Sequence, residues 1–73
     1  MKRNSKEFEE LRQDFERVIN KMPIYIGAKI ERENKNSSHY YCNGNVNNLF
    51  IAFMGGYQHA KALARIDALE LNE

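Results

Sequence analysis

The sequence predicts a small α+β domain in which a helix, a short three-stranded antiparallel meander and a second helix follow one another. Three observations predict it. Apolar residues recur at helical spacing near the N-terminus, apolar and polar residues alternate after Pro23, and an Asn-Gly pair of the kind that closes hairpins stands at 43–44. The predicted order of elements is therefore α-β-β-β-α.

The length of the chain allows one hydrophobic core, so residues 1–73 are predicted to form a single domain. Such a core is thin, because the conformational entropy of ordering a chain this short nearly cancels the free energy gained by burial. Cys42 is the only cysteine, which excludes a disulfide within the monomer. Self-association, most simply a homodimer, is the expected source of additional stability.

The charge balance disfavours a protein built mainly to neutralise nucleic acid or to bind a membrane surface. Eleven basic and ten acidic side chains leave a formal net charge of +1. The segment Met1 to Lys6 is polar and lacks the apolar core of a signal peptide, and no apolar run reaches the length of a membrane span. A cytoplasmic protein without membrane contact is expected.

The first helix is predicted at about 5–21. Asn4 or Ser5 can cap its start, acidic residues occupy its first turns, and Pro23 prevents its continuation. Its apolar stripe consists of Phe8, Leu11, Phe15, Val18, Ile19 and Met22. The charged residues between them are expected to form a solvated face.

Two strands are predicted next. Alternation from Ile24 to Glu31 is typical of a half-buried strand, and the polar residues 33–38 are typical of a turn. A second extended stretch at His39–Cys42 ends at Asn43-Gly44. A two-residue type I′ turn there would place Tyr41 opposite Val46.

A third strand is predicted at about 47–54, followed by a helix from Tyr57 onward. The apolar run 49–54 has the length of a strand, and Gly55-Gly56 behind it would destabilise a helix interior by about 2 kcal/mol. The alternative is one long helix from Val46 to Leu71, which would give the order α-β-β-α.

The last helix carries Ala60-Lys61 followed by Ala64, Ala68 and Leu69. Together with the α-β-β-β-α order, these residues resemble the double-stranded-RNA-binding domain over most of the chain. The resemblance implies that the start of this helix reaches across RNA phosphates and that the loop 34–39 reaches a minor groove. Lys61 matches the family's alanine-lysine pair, whereas Tyr57, Gln58 and His59 stand where the family has a lysine cluster.

No pattern predicts an enzyme, a cofactor or a metal site. His39 and Cys42 have metal-like spacing, but they would point to opposite faces of a strand and no second pair of ligands exists. Gly55-Gly56 lacks the rest of a phosphate-binding fingerprint, so a turn is the simpler interpretation.

The apolar third strand would lie at the edge of the sheet, where it invites pairing with another chain. We therefore expect a non-catalytic protein-binding module that forms a homodimer. Its style is that of a small phage or mobile-element protein that inhibits or modulates a host factor, such as a defence or transcription component. The expected binding residues are Tyr40, Tyr41, Leu49, Phe50, Ile51, Phe53, Met54, Tyr57, His59 and Lys61.

Two alternative functions use charge instead of apolar surface. A nucleic-acid-binding domain would use the basic side chains Lys29, Arg32, Lys35, Lys61 and Arg65. A sponge for a small anionic ligand, such as a signalling nucleotide, would hold it at a dimer seam with Tyr57, His59 and Lys61.

Overall fold

The structure, a computed structural model, describes residues 1–22 and 30–71, which comprise two α-helices and, before the second helix, the irregular residues 30–43, called here the connecting loop. Helix α1 spans Lys6–Asn20 and helix α2 spans Gly44–Leu71. In these two ranges the only β-type pairing is one isolated antiparallel bridge, between Arg32 and Tyr41. The predicted α+β class is therefore wrong, and so is the architecture expected from the resemblance to the double-stranded-RNA-binding domain.

The predicted first helix is confirmed as α1. The side-chain oxygen of Ser5 accepts a hydrogen bond of 3.1 Å from the backbone N–H of Phe8, so Ser5 is the N-cap. Glu7 and Glu9 lie in the first turn, where the helix dipole favours negative charge. Four members of the predicted apolar stripe are buried, namely Phe8, Leu11, Phe15 and Ile19.

The predicted third strand at 47–54 is wrong, because this segment belongs to α2. Asn43 explains the start of the helix, since its side-chain Oδ1 accepts hydrogen bonds from the backbone N–H groups of Asn45 at 2.9 Å and Val46 at 3.1 Å. These are the contacts of an N-cap. The Asn-Gly pair therefore begins a helix and does not form a type I′ turn, and this part of the chain has the long helix of the alternative interpretation.

The predicted strand at His39–Cys42 is wrong, because these residues make only a short loop pairing with residues 31–33. Residues 24–29 of the first predicted strand lie outside the described residues. The backbone N–H of Glu33 donates to the Tyr40 carbonyl at 3.0 Å, and that of Cys42 donates to the Glu31 carbonyl at 2.9 Å. Tyr41 thus lies opposite Arg32 and not opposite Val46. Two hydrogen bonds around a single bridge are too few to make His39–Cys42 a strand.

The core is an aromatic cluster between the two helices and the connecting loop. Phe50 of α2 is completely buried, and its ring centroid lies 5.0–5.7 Å from the rings of four aromatic neighbours. These neighbours are Phe8, Phe15, Tyr40 and Tyr41. Edge-to-face and tilted rings at such distances are favourable beyond the apolar area that they bury. The burial of Phe50 fixes which side of α2 faces α1.

Helix α2 continues through Gly55 and Gly56 although neither residue favours a helix. No atom lies within 4 Å of a Cβ added at Gly55. We therefore expect Gly55→Ala to raise the free energy of unfolding by about 1 kcal/mol, and the melting temperature by roughly 4–8 °C. Thermal unfolding followed by circular dichroism measures this change in melting temperature. The reverse exchange at an exposed site of the same helix, Ala60→Gly, should lower stability by a similar amount, and a destabilised Gly55→Ala would contradict a helix through this position.

Candidate functional site

Helix α2 is nearly twice as long as the helix that covers it. Its 28 residues span about 42 Å, whereas the 15 residues of α1 span about 22 Å. The hydrogen bonds between the two helices reach as far as Glu7 and Lys61. Beyond them, residues 62–68 are all exposed, and Leu63 and Ile66 keep 48% and 50% of their surface in solvent. The C-terminal half of α2 therefore presents aliphatic side chains that α1 does not cover.

A regular uncharged stripe runs along α2 outside the face that buries Phe50, and its N-terminal end borders α1. Successive members are separated alternately by three and four residues, the spacing of a coiled-coil seam. We call this set the outer stripe, and it consists of Leu49, Ala52, Gly56, His59, Leu63 and Ile66. Leu49 is half-buried and the other five residues are exposed. Small residues lie near the middle of the stripe and large aliphatic residues lie towards both ends.

An apolar groove of about 330 Å³ lies between the C-terminal half of α1 and the N-terminal half of α2. It is lined by Phe15, Val18, Ile19, Met22, Leu49, Ala52 and Phe53. Val18 and Met22 belong to the apolar stripe predicted for α1, yet both are exposed. Leu49 and Ala52 also belong to the outer stripe. The groove and the outer stripe therefore adjoin at Leu49 and Ala52, and together they form a surface that is apolar except at His59.

Most of the aromatic and aliphatic residues predicted to bind a partner contribute to the core or pack against it. Tyr41 and Phe50 are buried, and four others pack against the core while partly exposed, namely Tyr40, Leu49, Phe53 and Met54. Ile51 keeps 46% of its surface exposed. Residues 47–54 do not form an apolar sheet edge, because they belong to helix α2.

The remaining predicted site residues are divided between two sides of α2. The Oε2 atom of Glu7 accepts hydrogen bonds from the hydroxyl of Tyr57 and from Nζ of Lys61, the latter at 2.5 Å. These contacts join α1 to α2 beside a pocket of about 240 Å³, lined by Met1, Gln58, Lys61, Ala62 and Arg65. His59 lies on the outer stripe, away from this pocket. Within one chain, His59 is therefore not brought together with Tyr57 and Lys61, and a ligand site at a dimer seam stays a prediction.

The Glu7 contacts predict an acid-dependent loss of stability. The hydrogen bond from Lys61, followed by that from Tyr57, lowers the pKa of Glu7 from its usual value of 4.5. Because the folded pKa lies below the unfolded pKa, the stabilisation is fully present above about pH 4.5 and is lost as the pH falls through the folded pKa. We expect the native melting temperature to fall more steeply below that pH than the melting temperature of Glu7→Gln.

Melting temperatures measured from about pH 7 down to about pH 2 test this prediction. Glu10→Gln, which removes an exposed carboxylate from the same helix, is the matched control and should keep the native profile. Identical acid profiles for the native protein and Glu7→Gln would contradict a role of this carboxylate in the folded state.

Two of the cations predicted to contact phosphates have carboxylate partners. The guanidinium of Arg32 lies 2.9 Å from Glu9 and 2.8 Å from Glu16, and the hydrogen bond to Glu16 is the main reason why the pKa of Arg32 is raised. Lys61 is paired with Glu7. Lys29 lies outside the described residues. Phosphate binding by Arg32 or Lys61 would therefore compete with these ion pairs.

Two polar residues that the sequence interpretation missed hold the connecting loop. The guanidinium of Arg3 donates to the backbone carbonyls of Ser37, Asn34 and His39 and lies 4.6 Å from the centre of the Tyr40 ring. Asn47 fixes the end of the loop from α2. Its Oδ1 accepts the backbone N–H groups of Tyr40 at 2.6 Å and Tyr41 at 3.2 Å. Nothing in the sequence marks Arg3, whereas Asn47 follows the Asn43 cap by one helical turn.

The described residues offer little for catalysis. Within 1–22 and 30–71, no three His, Cys, Asp or Glu side chains are grouped so as to hold a metal ion. Desolvation and the carboxylates of Glu33 and Glu31 raise the pKa of Cys42, which favours the less reactive thiol.

Neither α1 nor α2 combines the length and apolarity needed to cross a membrane.

Comparison of the chain with protein-family models, with curated proteins and with solved structures found no match. Its function is therefore inferred from the geometry of its own residues.

Proposed function

We propose that the chain is a non-catalytic protein-binding module that docks through the outer stripe and the adjoining groove. The observation that carries this proposal is an exposed surface without Asp, Glu, Lys or Arg side chains, formed by the outer stripe and the groove and apolar except at His59. From Cys42 to Ala60 the chain contains no Asp, Glu, Lys or Arg. A surface helix normally presents charged residues opposite its core-facing stripe, so an uncharged second face is typical of a helix with a second partner.

The energy available at this surface supports a binding role. Leu63, Ile66, Val18 and Met22 are large apolar side chains that remain about half exposed. Complete burial of such a side chain is worth about 1.5–3 kcal/mol, so burying the exposed half contributes roughly 1 kcal/mol for each. Together they can supply several kcal/mol to association, which is a large share of what a specific complex needs after its entropic cost.

The chemistry of the surface fits a protein better than a nucleic acid. Nucleic-acid affinity depends on cations that neutralise phosphates, and the outer stripe contains none. Apolar helix faces and grooves are instead the surfaces on which amphipathic helices dock. The host factor of the defence or transcription kind, inhibited or modulated by a small phage-type protein, stays a proposal from the sequence, and the surface itself favours a protein partner without specifying a foreign one.

Site-specific photo-crosslinking tests the proposed docking surface. A benzophenone amino acid is placed at Leu63 on the outer stripe or, as the matched control, at exposed Gln58 on another side of the same helix. We expect protein adducts from position 63 and few from position 58, with loss of the position-63 adducts when Ile66→Glu is added. Mass spectrometry identifies whether the adduct is a second copy or another protein. Equal adducts at both positions, or none at position 63, would contradict the proposal.

A further inference from the structure

We infer that the protein seated on the outer stripe is a second copy of this chain, packed antiparallel on α2 about a two-fold axis at the middle of the helix. The inference rests on the proposed function, because it names the partner of the same surface. Three features of the structure carry it: the area left exposed, the register of the outer stripe, and the fit between the two ends of α2.

The chain exposes enough surface to include a dimer interface. The chain exposes 5633 Å² to solvent, whereas a folded monomer of its mass exposes roughly 4,700 Å². The excess is therefore roughly 900 Å². A standard-size protein interface buries about 800 Å² on each partner. The excess is therefore of the size that one such interface buries, and the outer stripe with the groove is an exposed surface of the described residues that can supply it.

The outer stripe is self-complementary in the antiparallel direction. Helix α2 spans Gly44–Leu71, so its midpoint falls between Tyr57 and Gln58. A two-fold axis at this point places Leu49 opposite the partner's Ile66 and Ala52 opposite the partner's Leu63. It also places Gly56 opposite the partner's His59. Every member of the stripe then faces another member, and the layers match the pairing of a and d positions in an antiparallel coiled coil.

The same register brings the exposed end of one helix to the groove of the other copy. Leu49 and Ala52 line the groove, and Leu63 and Ile66 are the large side chains of the uncovered end. In the dimer, the partner's Leu63 and the partner's Ile66 therefore enter the groove beside Val18 and Met22. Two-fold symmetry repeats this contact at the other end, so that each copy covers the apolar residues that the other leaves exposed.

The proposed dimer explains why position 56 is a glycine. In the isolated chain no atom beyond the adjacent residues and the local helix backbone lies within 4 Å of a Cβ placed at Gly56, so the monomer gives no steric reason for glycine. Glycine in a helix interior nevertheless destabilises it by roughly 0.5–1 kcal/mol relative to alanine. In the proposed dimer Gly56 lies beside the two-fold axis, where the backbones approach most closely and the imidazole of the partner's His59 must fit.

A charge placed on the outer stripe tests the dimer. Leu63→Glu puts a carboxylate opposite Ala52 at both ends of the interface, and we expect the dissociation constant to rise by about 100-fold or more. Gln58→Glu adds the same charge to the same helix outside the stripe and should leave the dimer intact. Sedimentation equilibrium of the full chain measures the mass, and circular dichroism checks that both variants keep the native helix content. A native monomer, or equal dissociation of both variants, would overturn the inference.

Disulfide trapping tests the antiparallel register. In a Cys42→Ser background, the pair Ala52→Cys with Leu63→Cys should give a covalent dimer on mild oxidation, because each cysteine faces the other one across the interface. The two positions are about 16 Å apart within one straight helix, so they cannot join within a copy. Leu63→Cys alone should remain largely unlinked. Rapid linkage of Leu63→Cys alone would indicate a parallel pair and overturn the register.

The two experiments separate this inference from the proposed function. A native dimer that Leu63→Glu disrupts supports both. A native monomer whose position 63 crosslinks to a different protein overturns the second-copy inference and leaves the protein-binding proposal standing. A native monomer without position-63 adducts overturns both.

Discussion

Phe50→Ala is expected to lower the free energy of unfolding by about 3–5 kcal/mol. The ring has 0% of its surface exposed and contacts both α1 and the connecting loop through the aromatic cluster. Truncation removes the side chain that joins these three parts of the fold and leaves a cavity among large, rigid rings. A chain of this length has a total stability of roughly 4–11 kcal/mol, so the variant should be largely unfolded or close to it.

Denaturation with urea, followed by circular dichroism, measures this loss. Ile51→Ala is the matched control, because Ile51 is the next residue of α2 and keeps 46% of its surface exposed outside the outer stripe. We expect it to cost less than about 1 kcal/mol, since less surface is removed from the folded state. Similar losses for the two variants would contradict the orientation of α2 and would also undermine the assignment of the outer stripe.

The sequence identified α1 because its signals agree with one another. The apolar spacing from Phe8 to Ile19, the cap at Ser5 and the acidic first turn all favour a helix over the same residues. When local signals agree in this way, the prediction does not depend on distant contacts.

The error in α2 came from residues with two structural roles. Asn-Gly is a strong hairpin signal, but asparagine is also among the best N-cap residues, and Asn43 uses its side chain in that second role. Gly55-Gly56 favours a break, yet the helix is held on both sides of it. Phe50 is buried before the pair, and Lys61 reaches Glu7 after it. Tertiary contacts overrode local propensity, and a single sequence does not show such contacts.

The candidate site was hidden by the same error. The alternation of three and four residues from Leu49 to Ile66 is readable in the sequence, but only when 47–54 is treated as part of a helix. Read as a strand, the segment placed its apolar residues on a sheet edge. The sequence interpretation predicted a binding surface from apolar residues that mostly pack in or against the core. The exposed outer stripe instead runs along a different face of α2 and continues to Ile66.

Asn47→Ala is expected to cost about 2–4 kcal/mol although it removes only a small polar group. Asn47 has 4% of its surface exposed, and its Oδ1 is the acceptor for the backbone N–H groups of Tyr40 and Tyr41. Without this acceptor, the two backbone N–H groups are left without a hydrogen-bond partner in a largely buried environment. Each unsatisfied buried donor lowers the free energy of unfolding by about 1–3 kcal/mol. Because Tyr41 packs in the aromatic core, loosening the loop also disturbs the contacts around Phe50.

Its neighbour provides the control for this prediction. Asn48→Ala changes the same residue type at an exposed position of α2 and should alter the free energy of unfolding by no more than about 0.5 kcal/mol. Amide hydrogen exchange distinguishes a lost acceptor from general destabilisation, because in Asn47→Ala the exchange at Tyr40 and Tyr41 should accelerate more than that in the middle of α1. Uniform acceleration along the chain would contradict the assigned role. Protection at these two amides therefore reports whether α2 orders the connecting loop, which in turn supplies two of the four rings that enclose Phe50.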